Sequence, residues 1–304
     1  MWAALLGLLA GGPLQAQPVV LQAAEAQVVA RIDAGQSVAI DVQQRLYLAE
    51  GRSRQILVLD SAGTALWTLG GRGVGDGQVQ DPRGLEAQDG TFVWVADAQE
   101  GVLHRFAQRG PWMTSLRLDP ATFDEGSLGV PAARPRLPGE PAEDRQDAFS
   151  RPVDLCTGPT GALYALDQHT GRVAWWDARY QPVQWLEPAQ GRWLDPVGVA
   201  ASRDRVYVAD QATQTVTVFD VFGTQTAMWA DSTWTPLRAL VGAPNGVWVL
   251  HETGLDYLSQ GGVRQQRLVL PSSLGAAVDV AVGPRHVFVL YPDRLVRWSL
   301  DPAN

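Results

Sequence analysis

A short apolar run with an aromatic residue at its centre recurs six times along the chain, and in the first four copies it ends in an acid. The centres are spaced by about 40 to 47 residues, except for one interval of about 70. Self-similarity at such a period predicts one supersecondary unit repeated side by side, because each unit buries its apolar face only against its neighbours. The central aromatic residues are Tyr47, Trp94, Tyr164, Tyr207, Trp248 and Phe288.

Around each centre lie further short runs rich in Val, Leu and aromatic residues, bounded by Gly, Pro or Asp, which is the composition of β-strands. Four strands every 40 to 45 residues or so form the blade of a β-propeller. The sequence therefore predicts an all-β, six-bladed β-propeller of four-stranded blades. The sixth copy lacks a fourth strand, whereas residues 27–32 form a strand-like run before the first copy. We expect this N-terminal strand to complete the last blade and close the ring, since an open ring would expose an edge strand.

The repeats resemble a known family. Residues 70–84, which contain Gly-Asp-Gly-Gln and Asp-Pro-Arg-Gly, are followed by Val-Trp-Val-Ala-Asp at 93–97, and this arrangement resembles the NHL repeat. Residues 195–199 and 206–210 match the same pattern again. The resemblance covers about residues 37–300 and implies the propeller fold. It implies little about function, because such a fold carries scaffolds, sensors and enzymes.

Two segments lie outside the repeats. Residues 1–16 combine a short apolar run with a small-residue site and read as a secretory signal, so we expect a single exported domain over 17–304 in the periplasm or cell envelope. A buried N-terminal strand or helix is the alternative. Residues 119–150, between blades two and three, are rich in Pro, Arg and acids. This insertion is either disordered or a partner-contacting cover anchored by Phe123 and Phe149.

Composition excludes several functions. The net charge of −8 without a basic run argues against nucleic-acid binding. All cationic side chains are Arg, so lysine Schiff-base chemistry is excluded. Cys156 is the single cysteine and follows an apolar run, which predicts a buried thiol and excludes an internal disulfide or a cysteine metal cluster. No run is long enough for a transmembrane segment.

The acids that end the second strands are the first candidates for chemistry, because they should lie on the face that surrounds the central channel. A ring of carboxylates from Asp97, Asp167 and Asp210 would suit Ca²⁺, which binds oxygen ligands. Alternatively, each acid accepts hydrogen bonds from backbone amides in the following turn. The recurrence of the acid in several blades favours the structural role, and no catalytic residue is assigned.

Departures from the repeat on the same face mark a partner-binding surface. His251 replaces the acid in the fifth copy, and the connections into first strands bring further Arg and Trp side chains. Aromatic and Arg side chains favour recognition when they are exposed. The predicted surface consists of Arg83, Arg151, Trp193, Trp234, Arg238 and His251.

These features favour a non-catalytic scaffold or ligand-binding module of the bacterial envelope, whose partner is another envelope protein or complex. The alternative is a propeller enzyme, either a metal-dependent lactonase or a lyase, with its site at the channel mouth. Lactonases of this resemblance combine carboxylates with Asn side chains, whereas Asn245 is the only internal Asn here. Carbohydrate binding through Trp193 and Trp234 is a third hypothesis.

Overall fold

A computed structural model describes residues 17–73, 75–118, 150–158 and 160–300. The described chain forms six sheets, one for each repeat, arranged as the blades of a β-propeller, and the four strands of each repeat pair antiparallel. The first strands of successive blades contact one another around the centre, and those of blades 6 and 1 do so as well, which closes the ring. The six-bladed prediction is confirmed.

The strands follow the order expected from the repeats. Blade 6 and the N-terminal segment contain β1 (Val19–Val20), β2 (Gln27–Arg31), β23 (Asp279–Val282), β24 (His286–Tyr291) and β25 (Arg294–Ser299). Blades 1 and 2 contain β3 (Gly35–Ile40), β4 (Leu46–Glu50), β5 (Gln55–Leu59), β6 (Ala65–Gly70), β7 (Pro82–Glu86), β8 (Phe92–Asp97), β9 (Val102–Ala107) and β10 (Trp112–Arg117). Blades 3 and 4 contain β11 (Pro152–Thr157), β12 (Leu163–Asp167), β13 (Arg172–Trp176), β14 (Pro182–Leu186), β15 (Pro196–Ala201), β16 (Arg205–Asp210), β17 (Thr215–Asp220) and β18 (Gln225–Ala230). Blade 5 contains β19 (Leu237–Ala243), β20 (Gly246–His251), β21 (Gly254–Ser259) and β22 (Arg264–Val269), and two short 3-10 helices lie at Ala23–Glu25 and Ser272–Leu274.

The core lies between the blades rather than in one central mass. Second strands such as β12 and β20 are buried along their whole length, because both faces of each sheet pack against a neighbouring blade. Each interface between adjacent blades holds its own apolar cluster; Tyr47 and Phe106, for example, join blades 1 and 2. A fully buried side chain of this size contributes about 1.5–3 kcal/mol. The blades are therefore held rigidly around the channel.

The N-terminal segment joins two blades. β2 pairs antiparallel with β25, with Val28 opposite Val296, and so completes blade 6 as predicted. The segment before it was not predicted to be a strand: β1 pairs in parallel with β22 and becomes a fifth strand of blade 5. The indole N–H of Trp298 donates to the carbonyl of Gln22 at 3.1 Å and ties the intervening stretch down. The N-terminal segment thus adds a strand to both blade 5 and blade 6.

Three expectations fall on residues outside the described part: the signal sequence at 1–16 and the two interpretations of the insertion. The described chain stops at Leu118, whose backbone N–H donates to the carbonyl of Gly101, and resumes at the buried Ser150. In the described part, no helix is both long enough and apolar enough to cross a bilayer.

Candidate functional site

The acids that end the second strands hold the connections between blades. Asp210 is 1% exposed, and its carboxylate accepts four backbone N–H groups. Two come from the connection into its blade, Leu194 at 2.7 Å and Asp195 at 3.3 Å. The other two come from the turn that follows, Ala212 at 2.8 Å and Thr213 at 3.3 Å. Oδ1 accepts three of these bonds and Oδ2 accepts one, so backbone amides occupy most of the lone pairs of this carboxylate.

Asp97 and Asp167 are buried in the same way. Asp97 accepts amides on both sides of its strand, among them Gln80 at 2.6 Å. Asp167 accepts the backbone N–H of Arg151 at 2.7 Å. Burial alone would raise the pKa of Asp97, but hydrogen bonding to His104 and to the amides outweighs it and lowers the pKa. The geometry of these acids therefore corresponds to the second alternative, in which each acid accepts hydrogen bonds from backbone amides. Within the described ranges, no three His, Cys, Asp or Glu side chains are grouped so that they could hold a metal ion.

His251 is not on the exposed face, and that part of the prediction is wrong. Its side chain is 1% exposed, and its Nε2 lies 3.6 Å from the Oδ2 of Asp256 on the next strand. Blade 2 has the same pair in the opposite order: Asp97 ends the second strand and His104 lies on the third, 3.7 Å apart. The change from acid to histidine in the fifth copy is thus compensated inside the blade.

Trp193 and Trp234 are also buried, at 4% and 2% exposure, so the expectation that they are exposed is wrong. Their indole N–H groups donate to the hydroxyl of Thr217 and the carboxylate of Asp256, each at 3.0 Å. A tryptophan at this point of the connection buries its ring between strands, and the buried N–H finds an acceptor there. Blade 2 places the fully buried Val79 at the equivalent position. Neither indole is available for stacking on a carbohydrate.

A cavity of about 380 Å³ opens at the channel mouth. The side chains at its rim have a common origin: in blades 1 to 5 the first strand begins with a β-bulge, which leaves one extra residue unpaired. Bulges commonly redirect a side chain next to functional sites. The extra residues are Gln36, Arg83, Val153, Val197 and Arg238, and all five line the cavity.

The two arginines of this rim were predicted from the sequence, and they stand on opposite blades, 2 and 5. Arg83 is held by Asp81, with Nε donating to Oδ1 at 2.9 Å. Arg238 pairs with Glu252 at 2.9 Å. Arg151 is exposed but does not line the cavity. Of the six predicted surface residues, the structure thus brings only Arg83 and Arg238 together at the mouth.

The floor of the cavity carries two carboxyl groups that the sequence analysis did not single out. Asp154 and Asp279 occupy the same register position in the first strands of blades 3 and 6, which are opposite in the ring. Each accepts a backbone N–H of the next blade: Val199 donates to Asp154 and Val38 to Asp279, both at 2.8 Å. Burial and the neighbouring Asp279 raise the pKa of Asp154 well above its usual value. Burial raises the pKa of Asp279 to about 6.

Below this level the channel narrows to a cavity of about 90 Å³. Glu86 and the thiol of Cys156 face it, and Cys156 is buried as predicted. Burial raises the pKa of Glu86 to about 7 and that of Cys156 well above its usual value. Ligand pockets typically have roughly 300–1,000 Å³. The mouth reaches that size, and the channel interior does not.

The sequence did contain signals for the missed residues. Asp154 lies within, and Asp279 begins, a first strand whose other residues are mostly apolar, so a charge there is unexpected. Gln168 and Gln211, which also line the mouth, directly follow the conspicuous acids Asp167 and Asp210.

Comparison with solved structures gives the same fold. A gluconolactonase from Xanthomonas campestris has a TM-score of 0.64 at 14% identity, covering 93% of this chain and 94% of that chain. The chain is a six-bladed β-propeller. A streptogramin B lyase has a TM-score of 0.61 at 10% identity, with 90% and 96% coverage. A catalytically inactive virginiamycin B lyase from Staphylococcus aureus with quinupristin has 0.59 at 10% identity, with 91% and 100% coverage.

At such identities this likeness carries the fold alone. No family model matches the chain, and no curated protein matches it. The resemblance of its repeats to NHL repeats stays a prediction.

Proposed function

We propose that this propeller is an exported, non-catalytic binding module of the bacterial envelope that binds another envelope protein at its channel mouth. The observation that carries the proposal is the composition of the mouth cavity. Arg83 and Arg238 line its rim, whereas Asp210, one of the second-strand acids, accepts four backbone N–H groups and does not line the cavity. Arginine side chains in a concave, rigid surface are typical of recognition.

The alternative, a propeller enzyme, is favoured by one observation. Carboxyl groups with raised pKa values, here Asp154, Asp279 and Glu86, are enriched at catalytic sites. Their carboxyl oxygens already accept backbone N–H groups from adjacent strands, which accounts for them without catalysis.

The test of the proposal blocks the mouth without changing its charge. Ala276 is exposed and lines the cavity, so Ala276→Trp fills the opening without disturbing the core. Ala212→Trp is the matched control, because Ala212 is exposed in a turn on the same face but outside the cavity. Tagged protein would be isolated from its own envelope, and bound proteins would be quantified by mass spectrometry.

We expect one stoichiometric partner with the wild type and with Ala212→Trp, and its loss with Ala276→Trp. A partner retained by Ala276→Trp would contradict binding at the mouth. Turnover of lactones and esters is measured in parallel, with and without chelator. Turnover that is lost in Asp154→Asn would establish the enzyme instead.

A further inference from the structure

We propose that the channel mouth receives a basic side chain, lysine or arginine, from the protein partner. This inference rests on the proposed function and names the chemistry of the contact. Asp154 and Asp279 lie on opposite sides of the floor. A cation on the channel axis therefore lies between both carboxyl groups.

The described part of the chain pairs no arginine with either carboxyl group, Asp154 or Asp279. The two arginines in the same cavity are engaged elsewhere, Arg83 with Asp81 and Arg238 with Glu252. Ionised carboxylates that face one poorly solvated cavity repel each other, and Asp279 disfavours the charged form of Asp154 in this way. A cationic ligand would relieve that repulsion and form charge-assisted hydrogen bonds with both carboxylates.

The rim matches the peptide backbone that would flank such a side chain. Gln168 and Gln211, from blades 3 and 4, line the cavity. Neither side chain hydrogen-bonds to another residue in the described part of the chain. Their amides are able to donate to and accept from peptide groups. The volume of about 380 Å³ is large enough for one long side chain with its adjoining backbone.

Net charge points the same way. The chain carries −8 overall, which attracts a positively charged partner over distances of about a Debye length. The channel below the floor measures about 90 Å³, far below the volume of a typical ligand pocket, so the side chain ends at the floor. The floor carboxyl groups are therefore the deepest contact that the partner makes.

The experiment uses the mature protein and short peptides of defined sequence. Acetyl-Gly-Gly-Xaa-Gly-Gly-amide is prepared with Arg, Lys, norleucine or Glu at the centre, and binding is measured by isothermal titration calorimetry at pH 7. We expect the Arg and Lys peptides to bind at least about tenfold more tightly than the norleucine peptide, since hydrogen bonds to charged groups contribute about 1.5–3 kcal/mol. Asp154→Asn combined with Asp279→Asn should abolish that preference.

Glu86→Gln is the matched control, because it removes a carboxyl group that lies deeper in the channel and does not line the mouth. It should change the affinity by less than about twofold. Circular dichroism and thermal unfolding check that the variants fold. If the double variant does not fold, the single Asn variants replace it, since in each one amide oxygen remains to accept the neighbouring N–H. Each single variant should still lower the affinity for the Arg peptide.

A second readout is proton release. Asp154 and Asp279 have raised pKa values when the mouth is empty, and Glu86, Cys156, Arg83 and Arg238 are the other charged or titratable groups that face them. Binding of a cation should therefore release protons, which is measured as a dependence of the binding enthalpy on the ionisation enthalpy of the buffer. A side chain bound only at the rim would release none.

The outcomes separate this inference from the proposed function. Equal affinity for all four peptides, tighter binding of the Glu peptide, or an unchanged preference in the double variant would overturn the basic-side-chain contact. The scaffold proposal would survive that result if Ala276→Trp still abolishes partner capture. If the pocket instead serves a small basic ligand, the Arg peptide would bind, and Ala276→Trp would leave partner capture unaffected. That result would overturn both the scaffold proposal and the contact with a basic side chain of the partner.

Discussion

Replacing Asp210 by asparagine tests whether the second-strand acids are structural residues or ligands. In the wild type, Oδ2 accepts the N–H of Leu194 at 2.7 Å, and Oδ1 accepts three further amides. An asparagine oxygen can replace Oδ1, but its NH₂ group then faces the N–H of Leu194. A buried donor left without an acceptor costs about 1–3 kcal/mol, and loss of the charge weakens the three remaining bonds by about 1 kcal/mol in total.

The free energy of unfolding should therefore fall by about 2–4 kcal/mol, which lowers the melting temperature by roughly 5–10 °C for a domain of this size. Urea titration followed by circular dichroism measures the change. Asp220→Asn is the control, because Asp220 accepts only two amides, through the one atom Oδ1, in a turn that is partly exposed. It should lose less than about 1 kcal/mol. Normal stability of Asp210→Asn together with lost binding or turnover would refute the structural role.

Three other changes have defined outcomes. Asp279 and Glu86 have pKa values raised to about 6 and about 7. Their neutral forms therefore stabilise the fold at low pH, and this contribution is lost as pH rises through those values. Thermal unfolding should occur several degrees higher at pH 5 than at pH 8, and Glu86→Gln should reduce the difference. Deletion of residues 17–22 removes β1 and should lower the melting temperature while leaving the far-ultraviolet spectrum unchanged, whereas continued full stability would show that the fifth strand of blade 5 is dispensable. Trp234→Phe removes the indole N–H that donates to Asp256 and leaves a small void, which should cost about 2–3 kcal/mol in urea unfolding; a loss below about 0.5 kcal/mol would contradict the buried position.

The sequence predicted the ring because strands and turns depend mainly on local sequence, and that local sequence recurs in each repeat. Strand composition and turn residues recur in every copy, and a leftover strand such as β2 has only one unpaired edge to join. β1 was missed since two residues, Val19 and Val20, are too few for a strand pattern to register. Their pairing with β22 depends on the path that the N-terminal segment takes from the edge of blade 5 to the edge of blade 6, and local sequence does not encode that path.

The candidate site was predicted less well because the position of a residue within a repeat does not determine the direction in which its side chain points. Trp193 lies just before the first strand of blade 4 and Arg238 just inside the first strand of blade 5, yet one is buried and the other lines the mouth. The difference arises from the β-bulge at the start of the first strand, which turns Arg238 toward the channel, whereas Trp193 precedes the bulge and inserts between strands. A bulge shifts by one residue the alternation of side chains between the two faces of a strand, and it has no distinct composition that would reveal it in the sequence.

Comparison of blades 2 and 5 separates structural residues from candidate binding residues. At the ends of the second strands the residue types differ, Asp97 in one blade and His251 in the other, yet each is buried beside a partner of the complementary type, so the requirement belongs to the blade itself. At the bulge the type is the same, Arg83 and Arg238, although blades 3 and 4 place valine there and fold equally well. A residue that folding does not require, repeated on opposite blades around a cavity, is best explained by what the cavity binds. Asp154 and Asp279 combine both roles: each accepts a backbone N–H of the next blade, yet glycine and alanine occupy their position in blades 2, 4 and 5, so a carboxyl group there is not a general requirement of the blade.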